Sequence, residues 1–207
     1  MSELILPDLQ TVQRRRKRVL GFVSVVMLFA VLTIGSAWPQ SSWPRVAVES
    51  IGLLLILAAI VGRAWCSLYI GGRKKSELVQ EGPYSLCRNP LYVFSVMGVF
   101  GALSQTGSIS LAAAFTAVTA AVFIPVVRQE EAYLSAAFPG DYDDYARRTP
   151  RFLPAPALWR TSSELTVRPK FLVRTLLDGL PFLAAWPAFE LLSALHDGPL
   201  KPLLRLP

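Results

Sequence analysis

The hydrophobic pattern divides the chain into five apolar runs separated by short polar connections. The runs cover residues 19–38, 46–70, 91–103, 109–127 and 180–195. A helix needs about 20 apolar residues to cross a bilayer, so the third run must recruit flanking residues to span. The fifth is short and interrupted by Pro181 and Pro187, which leaves a kinked fifth span or an interfacial helix as alternatives. The pattern predicts an all-α integral-membrane helical bundle of about five transmembrane helices.

Three segments follow from this pattern. Residues 1–70 form two N-terminal transmembrane helices with a basic arm. Residues 71–154 form a core of a polar loop, a helical hairpin and an acidic helix extension. Residues 155–207 form a C-terminal extension that carries the fifth apolar run. The small residues of the third and fourth runs are expected to let the two hairpin helices approach each other closely.

The composition agrees with a membrane protein. Hydrophobic residues make up 53% of the chain and charged residues 17%, against about 25% charged in soluble domains. The net charge of +7 comes from basic residues that flank the apolar runs, which indicates membrane topology rather than a nucleic-acid partner. Of 21 Lys and Arg residues, 17 fall on one side if the N-terminus is inside. We therefore predict a plasma (inner) membrane location and a site facing the cytoplasm. The first run ends in Ser36-Ala37-Trp38, a poor signal-peptide cleavage site, so we predict an uncleaved first helix.

Metal chemistry is not expected from the cysteine and histidine content. The chain has two cysteines, Cys66 and Cys87, and a single histidine, His196. Zinc and haem sites are usually marked by a CxxC motif or a Cys/His cluster. None of these three residues belongs to either pattern. No metal ligand is predicted.

Two polar segments are expected at the same membrane face. One is "EGPYSLCRNPLYV", residues 81–93, before the third apolar run, and the other is "RQEEAYLSAAFPGDYDDYARRTPRFLP", residues 128–154, after the fourth. A tight hairpin brings their ends together, with Arg88, Asn89 and Tyr92 near the acidic pair Glu130 and Glu131.

The chemistry of these segments fits a zwitterionic ligand. Asn89 is a good N-cap and Pro90 suits the first helical position, so a helix N-terminus and Arg88 would attract a carboxylate or phosphate. Glu130 and Glu131 would accept hydrogen bonds from an amine or a sugar. The structural alternative is that these residues only cap a helix, anchor it at the interface and face solvent.

The same residues resemble a known family. "LVQEGPYSLCRNPLY" followed by "EEAYLSAAFPGDYDDYARRTPRFLP" is similar to the isoprenylcysteine carboxyl methyltransferase and phospholipid methyltransferase group, integral-membrane enzymes that use S-adenosylmethionine. The family pattern reads L-V-x-x-G-x-Y-x-x-x-R-H-P-x-Y, then Glu-Glu, F-G-x-x-Y-x-x-Y and R-x-P. The resemblance implies that residues 71–154 are a methyltransferase core with a cytosolic-side cofactor pocket.

Residue by residue, the resemblance implies a set of contacts to S-adenosylmethionine: Leu78, Val79, Tyr84, Arg88, Asn89, Pro90, Leu91, Tyr92, Glu130 and Glu131. Glu130 is preferred over Glu131 as the cofactor ligand. The family histidine is replaced by Asn89, which can donate a hydrogen bond but cannot act as a base at neutral pH.

An anionic acceptor would need no base, because methyl transfer mainly requires alignment and exclusion of water. Arg128 is the first candidate to hold such an acceptor, Arg88 the second, and Arg63 is a further one because it lies inside an apolar run. The expected partners are the bilayer and a lipidic or lipid-linked acceptor. That acceptor is a prenylcysteine carboxylate, a phospholipid amine, a lipid phosphate or a small thiol.

Two rival functions remain open. Sterol reductases, which use NADPH, end in a similar helical domain, although the Glu-Glu pair argues for the methyl donor. A non-enzymatic membrane protein that keeps the fold is the third alternative.

Overall fold

A computed structural model describes residues 21–22, 25–73 and 76–207 of the chain. The predicted basic arm and the start of the first apolar run lie outside these residues. Within them, helix α1 covers residues 25–33, and the remaining elements are α2 (Trp43–Ile70), α3 (Pro83–Leu86), α4 (Pro90–Ser104), α5 (Ile109–Ala137), α6 (Asp141–Arg148), a 3₁₀ turn (Pro156–Leu158), α7 (Pro169–Leu177) and α8 (Leu180–Asp197). Two three-residue strands, β1 (Ile34–Ser36) and β2 (Leu204–Leu206), pair in parallel.

The predicted all-α membrane bundle is confirmed. Three helical segments are long and apolar enough to cross a membrane, namely Trp43–Ile70, Ile109–Ala137 and Pro169–Asp197, and α4 is a shorter apolar helix. The parallel pair β1–β2 was not predicted, because three residues are too few to produce a visible alternation of polar and apolar positions.

Helix α4 approaches α2 more closely than it approaches α5. A Cβ atom on Gly101 would lie 2.5 Å from the Gly52 carbonyl oxygen, and one on Gly62 would lie 2.3 Å from the Phe94 ring. A Cβ atom on Gly98 would lie 3.1 Å from Ala59 of α2. The expectation that the glycines of the third run serve the contact with the fourth run is therefore wrong for Gly98 and for Gly101. These glycines let the backbones of α2 and α4 meet, and the turn after Ser104 then directs α5 alongside α4.

Helices α7 and α8 run antiparallel to α2 along most of its length. The Thr175 hydroxyl donates to Ser67 Oγ at 3.0 Å near one end of α2, and Arg45 near the other end donates to Ser193. Gly179, at the break between α7 and α8, packs against Ile60 in the middle of α2. This course favours the spanning alternative for the fifth run, and it starts the apolar segment at Pro169, well before residue 180.

Candidate functional site

A cavity of about 300 Å³ lies where α5 extends beyond the end of the hairpin. Its walls come from the end of α2, the segment Glu77–Val79, the start of α4, residues 126–134 of α5, and α6. This arrangement follows from the short turn between α4 and α5, which brings the first residues of α4 beside the last turns of α5. Nine of the ten predicted cofactor residues line it: Leu78, Val79, Tyr84, Arg88, Asn89, Leu91, Tyr92, Glu130 and Glu131.

The remaining two predicted site residues lie outside the cavity lining. Pro90 is buried at the first position of α4, where its missing N–H costs nothing. Arg128 is exposed on α5, and the expectation that it holds an acceptor at this cavity is not met. The reason is helical phase: Val127 and Glu131 are buried one turn apart, and Arg128 shares the exposed face with Ala132.

Glu131 organises the base of the cavity. Its carboxylate forms an ion pair with Arg151, with Nη2 at 2.7 Å from Oε2, and lies 3.6 Å from Arg88 Nε. Asn89 Nδ2 donates to Glu131 Oε1 at 3.0 Å. Through these contacts Glu131 holds the side chains of Arg88, Asn89 and Arg151 in place. The neighbouring Glu130 is half-buried and lines the cavity beside it.

Asn89 occupies the N-cap position of α4, but its side chain does not cap the helix. The amide reaches instead to Glu131 Oε1 and to the Arg151 carbonyl oxygen, 3.3 Å away. The backbone N–H groups of Tyr92 and Val93 donate to the Asn89 carbonyl oxygen. The predicted capping role of the Asn89 side chain is therefore wrong, because the buried Glu131 carboxylate provides a stronger, charge-assisted partner.

Three buried polar atoms of the cavity wall have no hydrogen-bond partner within the described part of the chain. They are the hydroxyls of Tyr84 and Tyr142 and the Nε atom of Arg88. An unsatisfied buried polar group costs about 1–3 kcal/mol, so three in one cavity point to a ligand that supplies their partners. Burial raises the pKa of both tyrosines, which keeps the two hydroxyls protonated and able to donate.

The predicted site did not include Tyr142, Tyr145 and Arg151, although the Y-x-x-Y element of the family pattern matches the two tyrosines. Tyr142 and Tyr145 occupy one face of α6, three residues apart, and both are buried and line the cavity. The Tyr145 hydroxyl donates to the Tyr84 carbonyl oxygen at 2.7 Å, and burial raises its pKa. The Y-x-x-Y element places both tyrosines on one face of a helix, and this is the signal that could have assigned them to the site.

Charged groups of both signs surround the cavity. Glu77, Glu130, Glu131 and Arg88 line it, and two arginines pair with these carboxylates from outside the lining: Arg73 lies 3.7 Å from Glu77, and Arg151 pairs with Glu131. Three carboxylates thus meet three arginines, and such a site suits a zwitterionic ligand.

Arg63 lies deeper in the bundle. It donates through Nη1 to the hydroxyl of Ser95 on α4, which donates in turn to the carbonyl oxygen of the cavity residue Leu91 at 2.7 Å. Its Nε atom is buried without a hydrogen-bond partner within the described residues. Glu49 pairs with Arg45 at 2.7 Å, not with Arg63.

Comparison with known proteins assigns this arrangement to a family. The sequence profile of phospholipid methyltransferases matches residues 47–141, which include all nine predicted residues that line the cavity. The chain belongs to the phospholipid methyltransferase family. It is thus a membrane methyltransferase, and the resemblance read from the sequence motifs is confirmed.

Two relatives extend the likeness over most of the chain. The nickel-cobalt-cadmium resistance protein NccN of Alcaligenes xylosoxydans xylosoxydans is 43% identical over 170 residues, covering 82% of this chain and 79% of the relative. The cobalt-zinc-cadmium resistance protein CzcN of Cupriavidus metallidurans is 38% identical over 175 residues, covering 84% and 81%. No solved structure matches the chain.

Asn89 stands where the family pattern has a histidine. In this protein the Asn89 side chain donates a hydrogen bond to the buried Glu131 carboxylate. A ring N–H of the family histidine could donate in the same way.

Proposed function

We propose that this methyltransferase takes its methyl group from S-adenosylmethionine bound in the 300 Å³ cavity and transfers it to a lipidic or lipid-linked acceptor. The observation that carries the proposal is a group of three buried polar atoms in one cavity, Tyr84 Oη, Arg88 Nε and Tyr142 Oη, that have no hydrogen-bond partner among the described residues. S-adenosylmethionine is a zwitterion with one excess positive charge, and it supplies an electrophilic methyl group on a sulfonium.

The residues present suit this group. Arg88 would bind the carboxylate, with its orientation fixed by the nearby Glu131. Glu130 would accept hydrogen bonds from ribose hydroxyls or from the amine. Tyr142 and Tyr84 would donate to the remaining polar atoms. Leu78, Val79, Leu91 and Leu134 form the apolar part of the wall and would exclude water from the reacting centre.

The acceptor would approach from the bilayer and need not lose a proton to the protein. Asn89 is no base at neutral pH, so a nucleophile that is already anionic suits the site best. A prenylcysteine carboxylate is the first choice, and a phospholipid amine, a lipid phosphate and a small thiol are the alternatives. We assign Arg63 the role of holding the anionic group, since its guanidinium is linked through Ser95 to the cavity residue Leu91. Arg128 is exposed and does not line the cavity, so it is less suited to this role.

We further propose the orientation predicted from the basic residues: an inner-membrane protein with the cavity facing the cytoplasm. Fluorescent or enzymatic reporters fused after residue 207 and within the segment 155–168 test it. The two fusion sites are expected to report opposite sides, because α7 and α8 together run the length of α2.

Cofactor binding and turnover test the proposal together. Purified protein in detergent is titrated with S-adenosylmethionine and, separately, with NADPH, by calorimetry and by thermal shift. We expect binding of the methyl donor, and transfer of labelled methyl to a lipid extract. Stabilisation by NADPH alone would instead favour the reductase alternative, and binding of neither would contradict the assignment of the cavity.

The two relatives are named for resistance to nickel, cobalt, zinc and cadmium. We propose that methylation by this protein contributes to the same trait. A strain lacking the gene, complemented with the wild type or with Arg88→Gln, tests this by growth in graded metal concentrations. Equal rescue by both would show that any resistance is independent of the cofactor site.

A further inference from the structure

A second, larger cavity lies on the other side of the segment Glu77–Val79. Its volume is about 550 Å³. The end of α2, residues 77–81, the end of α6 and the segment 158–165 form its walls. The family match ends at residue 141, so the walls that carry Arg148 and Arg160 lie beyond it.

The cavity carries an excess of positive charge. Arg73, Arg148 and Arg160 line it together with Glu77 and Glu81. Arg73 lies 3.7 Å from Glu77, and Glu81 accepts the Ser162 backbone N–H at 3.2 Å. Each carboxylate is therefore already engaged by another group.

Two guanidinium groups remain without a carboxylate partner among the described residues. Arg148 donates to the neutral amide oxygen of Gln80, and the Arg160 side chain forms no ion pair. Both belong to elements that end at the cavity wall: Arg148 is the last residue of α6, and Arg160 follows the 3₁₀ turn Pro156–Leu158. Guanidinium groups bind phosphate oxygens with charge-assisted, often bidentate hydrogen bonds.

The segment that carries Arg160 is fixed at several points. The Arg160 carbonyl oxygen accepts the Gly82 N–H at 2.7 Å, and its own N–H donates to Ser85 Oγ at 3.0 Å. The hydroxyls of Tyr69 and Thr161 lie 3.1 Å apart. Because the backbone is held in this way, the arginine is placed at the cavity before any ligand arrives, which lowers the entropic cost of binding.

The linings of the two neighbouring cavities differ in charge. Three carboxylates and one arginine line the cofactor cavity, whereas three arginines and two carboxylates line the second, and both linings include Glu77, Leu78 and Val79. The second cavity is therefore the better match for an anionic ligand.

We propose that the second cavity is a binding site for the phosphate group of an anionic ligand, held by Arg148 and Arg160. Two sources offer this chemistry, an anionic phospholipid headgroup and a soluble phosphate ester. Tyr69 lines the cavity one residue before the end of α2, a helix long and apolar enough to cross a membrane. The cavity is therefore within reach of either source.

The test uses the full chain in a neutral detergent. Binding of dioctanoyl phosphatidic acid and of glycerol 3-phosphate is measured by calorimetry for the wild type, Arg148→Gln, Arg160→Gln and Arg147→Gln. Arg147 is the matched control, because it is exposed on the same helix, pairs with Asp144 and does not line the cavity.

We expect the Arg148 and Arg160 variants each to weaken phosphate binding about tenfold, and the Arg147 variant to leave it unchanged. Binding of the lipid alone assigns the headgroup as the source, and equal binding of both probes assigns a soluble ester. No binding of either probe at millimolar concentration, or an equal loss in the control, overturns the proposal.

The affinity for S-adenosylmethionine, measured on the same samples, separates this proposal from the proposed function. We expect it to stay unchanged in Arg160→Gln, which also shows that the variant is folded. A parallel loss of cofactor affinity in a variant with an unchanged melting temperature would place Arg160 in the cofactor site and overturn a separate phosphate site. If S-adenosylmethionine does not bind the wild type, the phosphate measurements still stand, with the melting temperature as the check on folding.

Discussion

Replacing Glu131 by Gln tests whether this carboxylate organises the pocket. The substitution keeps the shape of the side chain and an oxygen that accepts from Asn89, but it removes the charge that pairs with Arg88 and Arg151. Arg88 then remains largely buried without a counter-charge. We expect a loss of stability together with a loosened cavity.

The size of the effect follows from the exposure of the two arginines. Removing one partner of a fully buried ion pair costs about 3–5 kcal/mol. The Arg88 side chain is 13% exposed and approaches that case, whereas that of Arg151 is 44% exposed and its contribution is reduced by solvent. Because the Arg88 contact is long, at 3.6 Å, we place the loss in unfolding free energy at about 2–3 kcal/mol.

Reversible unfolding by denaturant in detergent, followed by tryptophan fluorescence, measures this loss. Glu130→Gln is the matched control, since Glu130 lines the same cavity but is only half-buried. We expect it to change stability by less than about 1 kcal/mol and to weaken S-adenosylmethionine binding directly.

Two outcomes would refute the reasoning. A loss below about 0.5 kcal/mol, the range of ordinary surface substitutions, would show that Arg88 does not depend on Glu131. Equal destabilisation by the Glu130 variant would show that the two carboxylates have been given the wrong roles.

Further substitutions test single features of the site and the bundle. Asn89→His should retain cofactor affinity and Asn89→Leu should reduce it at least tenfold, measured by calorimetry, because only the first keeps a donor to the buried carboxylate. Tyr142→Phe should weaken cofactor binding by about five- to tenfold with stability unchanged or raised, since it removes one unsatisfied buried hydroxyl; unchanged affinity would remove this residue from the site. Gly62→Ala should lower the melting temperature, as its Cβ would lie 2.3 Å from the Phe94 ring. Burial raises the pKa of Cys87 to about 11, so iodoacetamide at pH 8 should modify it slowly in the folded protein and rapidly after unfolding.

Much of the pocket could be predicted because it depends on local patterns. The break in hydrophobicity before Pro90 marks the start of α4, and the short connection after Ser104 forces α5 to return alongside it. Those two facts place Arg88 and Asn89 beside the acidic pair, without any knowledge of the remaining helices.

Other parts depend on information that the pattern does not contain. Successive residues of a helix differ in direction by about 100°. Whether Arg128 faces the pocket therefore depends on the rotation of α5 about its axis, which is set by its packing against the other helices. Arg151 and Tyr142 return to the pocket because Gly140, with φ at +84°, turns the chain after α5. The packing of α4 on α2 was missed because the glycines of α4 could serve either neighbour equally well.

The contacts of Asn89 reconcile its presence with the chemistry of the family. At this position the protein needs a donor to the buried Glu131 carboxylate, and an amide meets that need as well as a ring N–H does. Glu131 is in turn committed to Arg88 and Arg151, so it is poorly placed to accept a proton from the nucleophile. If neither residue takes the proton, the reaction depends on an acceptor that arrives without one. Asn89, in place of the family histidine, thus favours carboxylate, thiolate and phosphate groups as acceptors. It disfavours the protonated amine of a phospholipid.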